Sequence, residues 1–140
     1  MNDDKMIREI LLSTKTIASV GLSSNPAKES YGIVEYLKGQ GYRVIPVNPN
    51  ATEVLGEKAY PDLSSVPEKI DVVQVFRKPE DVPPVVDEAI KVGAKVVWMQ
   101  EGIVNEEAAK KARAAGLQVV MDACMRVMHR ALIGNKHIRL

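Results

Sequence analysis

The feature that most constrains this chain is the alternation of short apolar runs with amphipathic helical segments, sustained from residue 16 to the C-terminal region. Thr16-Ile17-Ala18-Ser19-Val20 is rich in β-formers, lacks polar alternation and stops at Gly21, as a strand buried on both faces does. The same signature recurs at Tyr42 to Val47, Val72 to Phe76, Lys95 to Met99 and Leu117 to Met121. Between these runs the apolar period changes to that of a helix: Ser30 opens one that runs through Ile33, Val34 and Leu37, Pro79 to Val92 forms another, and Asn105 caps a third that ends at Ala115. Pro83-Pro84 suits a first helical turn, where missing backbone donors do little harm. Ile7, Ile10 and Leu11 predict a helix before the first strand, with Asn2 as its cap and a sheet edge as its place of rest. Cys124 to Leu132 predicts a last helix that packs Met125, Met128 and Leu132 inward. Only the segment from Val54 to Val66 breaks the rhythm; it predicts an excursion with one short strand and a helical turn near Leu63.

Strands and helices that alternate at this spacing need right-handed crossovers and a parallel sheet covered on both faces. The fold class is therefore α/β, a doubly wound, mainly parallel Rossmann-type sheet. At 140 residues the chain has the length of one domain, expected to span 1–140. Charge excludes several partners: the net charge of +1 gives no overall field to attract nucleic acid or an anionic membrane. One cysteine rules out an internal disulfide and fits a reducing compartment. No apolar run is long enough to span a bilayer and the N-terminal residues lack a signal peptide's regions, so a cytoplasmic protein is expected. No His, Cys, Asp or Glu set has metal-ligand spacing, and no nucleophile with its base can be assembled, so neither a metal site nor catalytic residues are assigned.

In sheets of this class ligands bind beyond the carboxyl ends of the strands, where the strand order reverses. The loop after the first strand reads Gly21-Leu22-Ser23-Ser24-Asn25-Pro26-Ala27-Lys28-Glu29-Ser30. Gly21 lets the backbone turn and approach a ligand; Ser23, Ser24 and Ser30 bring hydroxyls, Lys28 a charge, and the helix start free N–H groups, all suited to phosphate oxygens. The alternative reading is a polar helix-entry loop capped by Ser30. Neither the Gly-x-Gly-x-x-Gly fingerprint nor a P-loop is present: Ser23 and Pro26 stand where dinucleotide binding needs glycine, and Asn48-Pro49 stands where it needs an acid.

Further strand ends read Pro46-Val47-Asn48-Pro49, Phe76-Arg77-Lys78-Pro79, Met99-Gln100-Glu101-Gly102-Ile103 and Asp122-Ala123-Cys124-Met125. Together with Val20-Gly21-Leu22-Ser23 they resemble the stand-alone CoA-binding domain family, which is similar to the CoA-binding domain of the succinyl-CoA synthetase α subunit and of ADP-forming acyl-CoA synthetases. The resemblance runs from Ile7 to Ile133. It implies coenzyme A as cofactor, with Gly21 to Ser30 as phosphate loop; Tyr31, one residue into the helix that follows, offers its aromatic face to the same ligand. Val47, Asn48 and Pro49 would form the wall for adenosine. Phe76, Arg77 and Lys78 would flank adenine and phosphates, and Glu101 would lie near the reactive end. Among the cations Lys28, Arg43, Arg77 and Lys78, Arg77 is the favoured phosphate contact, because arginine meets phosphate bidentately, and Arg43 reads better as a solvated strand flank.

The synthetases relay phosphate through a histidine on a separate domain, which this chain is expected to lack; His129 and His137 fall in the C-terminal region, away from any matching position. The implied function is a non-catalytic module that binds CoA or acyl-CoA as a carrier or sensor. The alternatives are a detached subunit working with an acyl-CoA synthetase-type or transferase partner chain, or an NAD- or nucleotide-binding redox protein. Cys124 carries two readings: a buried apolar filler, or a thiol at the start of the last helix that forms a mixed disulfide with CoA. Trp98, inside a buried strand, reads as core.

Overall fold

The computed structural model describes residues 3–134. Its centre is a 5-stranded parallel sheet of β1 (Thr16–Val20), β2 (Arg43–Val47), β5 (Val72–Val75), β6 (Val96–Met99) and β7 (Gln118–Val120), in the order β2-β1-β5-β6-β7. Register sets the two faces. Ile17 pairs with Val44 and Val72, and Val72 with Val96, so these side chains share one face. They pack with Trp98 and Val120 under α1 (Asp4–Ser13), α2 (Glu29–Gly39) and α5 (Met125–Leu132). Ala18, Val73, Val97 and Val119 take the opposite face under α3 (Val82–Lys91) and α4 (Glu106–Ala114). Every residue of β5 and β6 is buried, which is why these strands read as unbroken apolar runs.

The chain winds outward in both directions from the middle of the sheet. The helix after β1 lies on one face and the helix after β5 on the other, so the strand order reverses between β1 and β5.

Several local expectations need correction. The Asn2 cap falls outside the described residues; the N-cap of α1 is Asp3, whose carboxylate accepts from the Lys5 N–H. That helix lies on a sheet face beside α5 rather than at an edge, because Ile7, Ile10 and Leu11 are all needed in the core. Helix α2 is capped by Lys28, not Ser30, which is already inside its first turn. The excursion holds two short strands, β3 (Glu53–Val54) and β4 (Glu57–Lys58), paired antiparallel about Leu55 and Gly56, both at positive φ. Met125, Met128 and Leu132 of α5 do pack on the core, the last two partly covered, and the fully buried His129 joins them. Asn105 likewise caps α4 as its sequence suggests, its side chain accepting from the Ala108 N–H at 2.9 Å.

Candidate functional site

At the carboxyl edge β1 ends on Gly21, with φ +90 and its N–H donated to the Val47 carbonyl at 2.9 Å. A Cβ on Gly21 would stand 2.9 Å from the Phe76 carbonyl oxygen. Only glycine lets the loop leave β1 here while pressed against the end of β5, at the point where the sheet reverses. The loop is then fixed from within. Ser30, buried, accepts the Ser23 N–H at 3.1 Å; Ser23 Oγ accepts from the Asn25 N–H at 3.0 Å; Asn25 Oδ1 accepts from the Ala27 N–H at 2.9 Å. Asn48 ties the end of β2 to the same loop, donating its side-chain amide to the Leu22 carbonyl at 2.9 Å.

These contacts sort the expected site residues. Gly21, Asn48 and Phe76 meet where β1, β2 and β5 end. In the loop that leaves from there Ser24 and Lys28 are exposed and Ser23 is half-buried. Pro49 and Lys78 are exposed, and Arg77 is half-buried at the end of β5. Lys28, Arg77 and Lys78 form no ion pair among the described residues. Leu22 and Val47 offer this edge only backbone, since both side chains are in the core. Tyr31 packs partly against the α2/α5 core. Arg43 belongs elsewhere: it starts β2, at the amino end of the sheet, and is engaged by Glu57 and by Glu68 at 2.7 Å. Hydrogen bonds to Glu68 and then Glu57 raise its pKa further above an already high value.

Farther along the edge, Glu101 and Cys124 line one open groove of about 510 Å³, together with Asp4, Ile7, Asp122 and Val127. Asp122, at φ +57, accepts the Gly102 N–H at 2.7 Å and so binds the end of β7 to the turn after β6. Cys124 is 8 % exposed, both a member of the core and part of the groove wall. Asp4 and Ile7 reach the groove from α1, a contribution nothing in their local sequence signals.

A buried polar chain beneath this edge also escaped the sequence reading. Ser19 Oγ donates to Gln74 Oε1 at 2.9 Å, Gln74 Nε2 donates to Gln100 Oε1 at 3.1 Å, and the same Gln100 oxygen accepts the Met125 N–H at 3.1 Å. It runs from β1 across β5 to the first turn of α5 and sets where Cys124 stands. The available signal was three polar residues within or just after otherwise apolar strands. Trp98 is core, its indole N–H donated to the Ala123 carbonyl at 2.8 Å. His129 is fully buried, sharing a 2.7 Å hydrogen bond with the Tyr36 hydroxyl and packed edge-on against Tyr42; His137 falls outside the described residues. Burial, then the neighbouring Tyr36, pushes the Tyr42 phenol up to about 12. Among the described residues no helix is long and apolar enough to cross a membrane.

A family model described as "CoA binding domain" matches residues 15–130. The chain is 43% identical over 123 residues to YneT of Bacillus subtilis strain 168, an uncharacterized protein, covering 88% of this chain and 91% of that one. A solved structure of a hypothetical protein from Pyrococcus horikoshii OT3 superposes with a TM-score of 0.92 at 47% identity, covering 95% of this chain and 94% of that one. The ADP-forming acetate–CoA ligase II of Archaeoglobus fulgidus is 32% identical over 104 residues, which are 73% of this chain but only 16% of that enzyme. The chain belongs to the CoA binding domain family, related to a segment of the ADP-forming acyl-CoA synthetases.

Proposed function

We propose that this protein is a cytoplasmic, single-domain module (1–140) that binds coenzyme A or an acyl-CoA along the carboxyl edge of its sheet and performs no catalysis alone. The carrying observation is how charge divides along that edge. Around the β1/β5 reversal stand Lys28, Arg77 and Lys78, with the start of α2, whose N-cap supplies no side-chain bond to the first-turn N–H groups. At the other end, Asp4, Glu101 and Asp122 surround the apolar walls and the lone thiol. A polyanionic head with an uncharged thiol tail matches that polarity. In this reading Gly21, Leu22 and Ser23 offer phosphates their backbone, Ser24, Lys28 and Ser30 their side chains, and Tyr31 flanks them. Val47, Asn48, Pro49, Phe76 and Lys78 border the nucleotide, and Arg77 meets a phosphate.

Added CoA should raise the melting temperature, and NAD at equal concentration should not. In Arg77→Ala, with circular dichroism unchanged, the CoA shift should shrink markedly. An equal shift with NAD, or a full shift in the variant, counts against the assignment.

The position of Cys124 in the groove wall, at the N-cap of α5, supports a redox extension: Cys124 thiolate attacks the disulfide of oxidised CoA, forming the mixed disulfide and releasing one CoA thiolate, with no net oxidation. Intact mass after incubation with oxidised CoA should show one CoA adduct. Absence of that adduct, or its persistence in Cys124→Ser, rules the step out. The match to part of the Archaeoglobus ligase supports a second reading, a CoA-binding subunit for an ATP-grasp-type partner chain, tested by co-purification from the source cell.

A further inference from the structure

Arg126 occupies the second position of α5, and its side chain turns toward α2 rather than into solvent. Nη1 lies 3.5 Å from where a Cβ on Gly32 would stand, so the guanidinium rests on the opening turn of α2, the helix that follows the Gly21–Lys28 loop. Nε is buried with no hydrogen-bond partner, and the group enters no ion pair among the described residues.

This arrangement is unusual on physical grounds. A guanidinium does not shed its proton, and a half-buried charge without a counter-charge is held at a cost in free energy. Nor is its place an accident of a loose helix. The Met125 N–H, one residue earlier, is anchored on Gln100 by the buried chain that starts at Ser19. The fold therefore fixes an unpaired cation against a helix start that lacks a side-chain cap. Gly32 contributes by leaving no side chain between them.

We propose that Arg126 is a ligand-binding residue that clamps the diphosphate of the bound cofactor against the first turn of α2, the guanidinium and the turn's N–H groups sharing one anion. The inference rests on the CoA reading above and extends it to a residue that reading does not use. The diphosphate is favoured over the 3′-phosphate because in doubly wound sheets that bind dinucleotides it is the diphosphate that meets the helix start after the first strand.

The test is calorimetric titration of the full chain with CoA and with 3′-dephospho-CoA. Arg126→Gln should weaken both ligands by roughly tenfold or more, and Arg126→Lys should recover part of that loss. The ligand-free melting temperature of Arg126→Gln should be unchanged or higher, since an unpaired charge has been removed. Unchanged affinity for both ligands overturns the proposal. So does a loss confined to CoA, which would place Arg126 at the 3′-phosphate, or a fall in ligand-free stability that accounts for the weaker binding. Failure of the unaltered chain to bind CoA overturns the underlying reading instead.

Discussion

A single hydrogen atom in place of a side chain decides how the loop after β1 is built. At Gly21 a Cβ would meet the Phe76 carbonyl oxygen at 2.9 Å, on a backbone already at φ +90. Gly21→Ala should cost more than about 1 kcal/mol from the backbone alone, with the clash added, and should blunt the CoA-induced melting shift even where the fold survives. Denaturant unfolding with and without CoA checks both. At this scale the strand ends make Gly21, Glu101 and Cys124 legible as candidates, and the structure brings the last two to one groove. The place of Arg126 is not legible, because a charged residue in a helix reads as solvated until the neighbouring helix shows a glycine beneath it. Ser19 and Gln74 were hidden for the same reason, since a polar residue within a strand declares itself only when its cross-strand partner is known.

At the scale of elements, the amino end of the sheet is held as deliberately as the carboxyl end. Asp71, just before β5, accepts the Lys15 and Thr16 N–H groups at 2.9 and 3.0 Å and faces Lys95 at 3.5 Å, so it joins the starts of β1, β5 and β6. Burial alone would push its carboxyl up; the two backbone hydrogen bonds, helped by Lys95, outweigh burial and hold it below the usual range. The stability it contributes is complete above its ordinary value of about 4 and is lost as pH falls through the depressed native value. Asp71→Asn should therefore lose about 1–2 kcal/mol at neutral pH and show a flatter decline in acid, read from urea unfolding across that range. The start of α2 teaches the complementary lesson. Ser30 looks like a cap by residue type, yet its hydroxyl accepts the Ser23 N–H inside the loop, a tertiary demand that outcompetes the local one.

For the molecule as a whole, ligand and stability are linked. CoA at a hundredfold excess over its dissociation constant should add about 2.7 kcal/mol, a melting shift of several degrees for a chain of this size. Loss of that increment in Arg77→Ala or Arg126→Gln is then measurable on the folded protein. The division of charge along the carboxyl edge belongs to this scale too. It cannot be seen in a net charge of +1; it exists only because the fold sets the loops that carry Lys28, Arg77 and Lys78 at the β1/β5 reversal and brings Asp4, Glu101 and Asp122 to one groove farther along the edge.

The sequence by itself determined the alternation of buried strands and helices, hence the parallel sheet, its carboxyl edge and the segments that line it, because periodicity and glycine placement are local properties. The tertiary structure alone decided which residues on that edge share a space. It put β1 beside β5 to create the reversal, paired Arg43 with Glu57 and Glu68, brought α1 to the thiol groove and laid Arg126 on α2. Those outcomes depend on packing between segments far apart in the chain, and no local pattern encodes such distances.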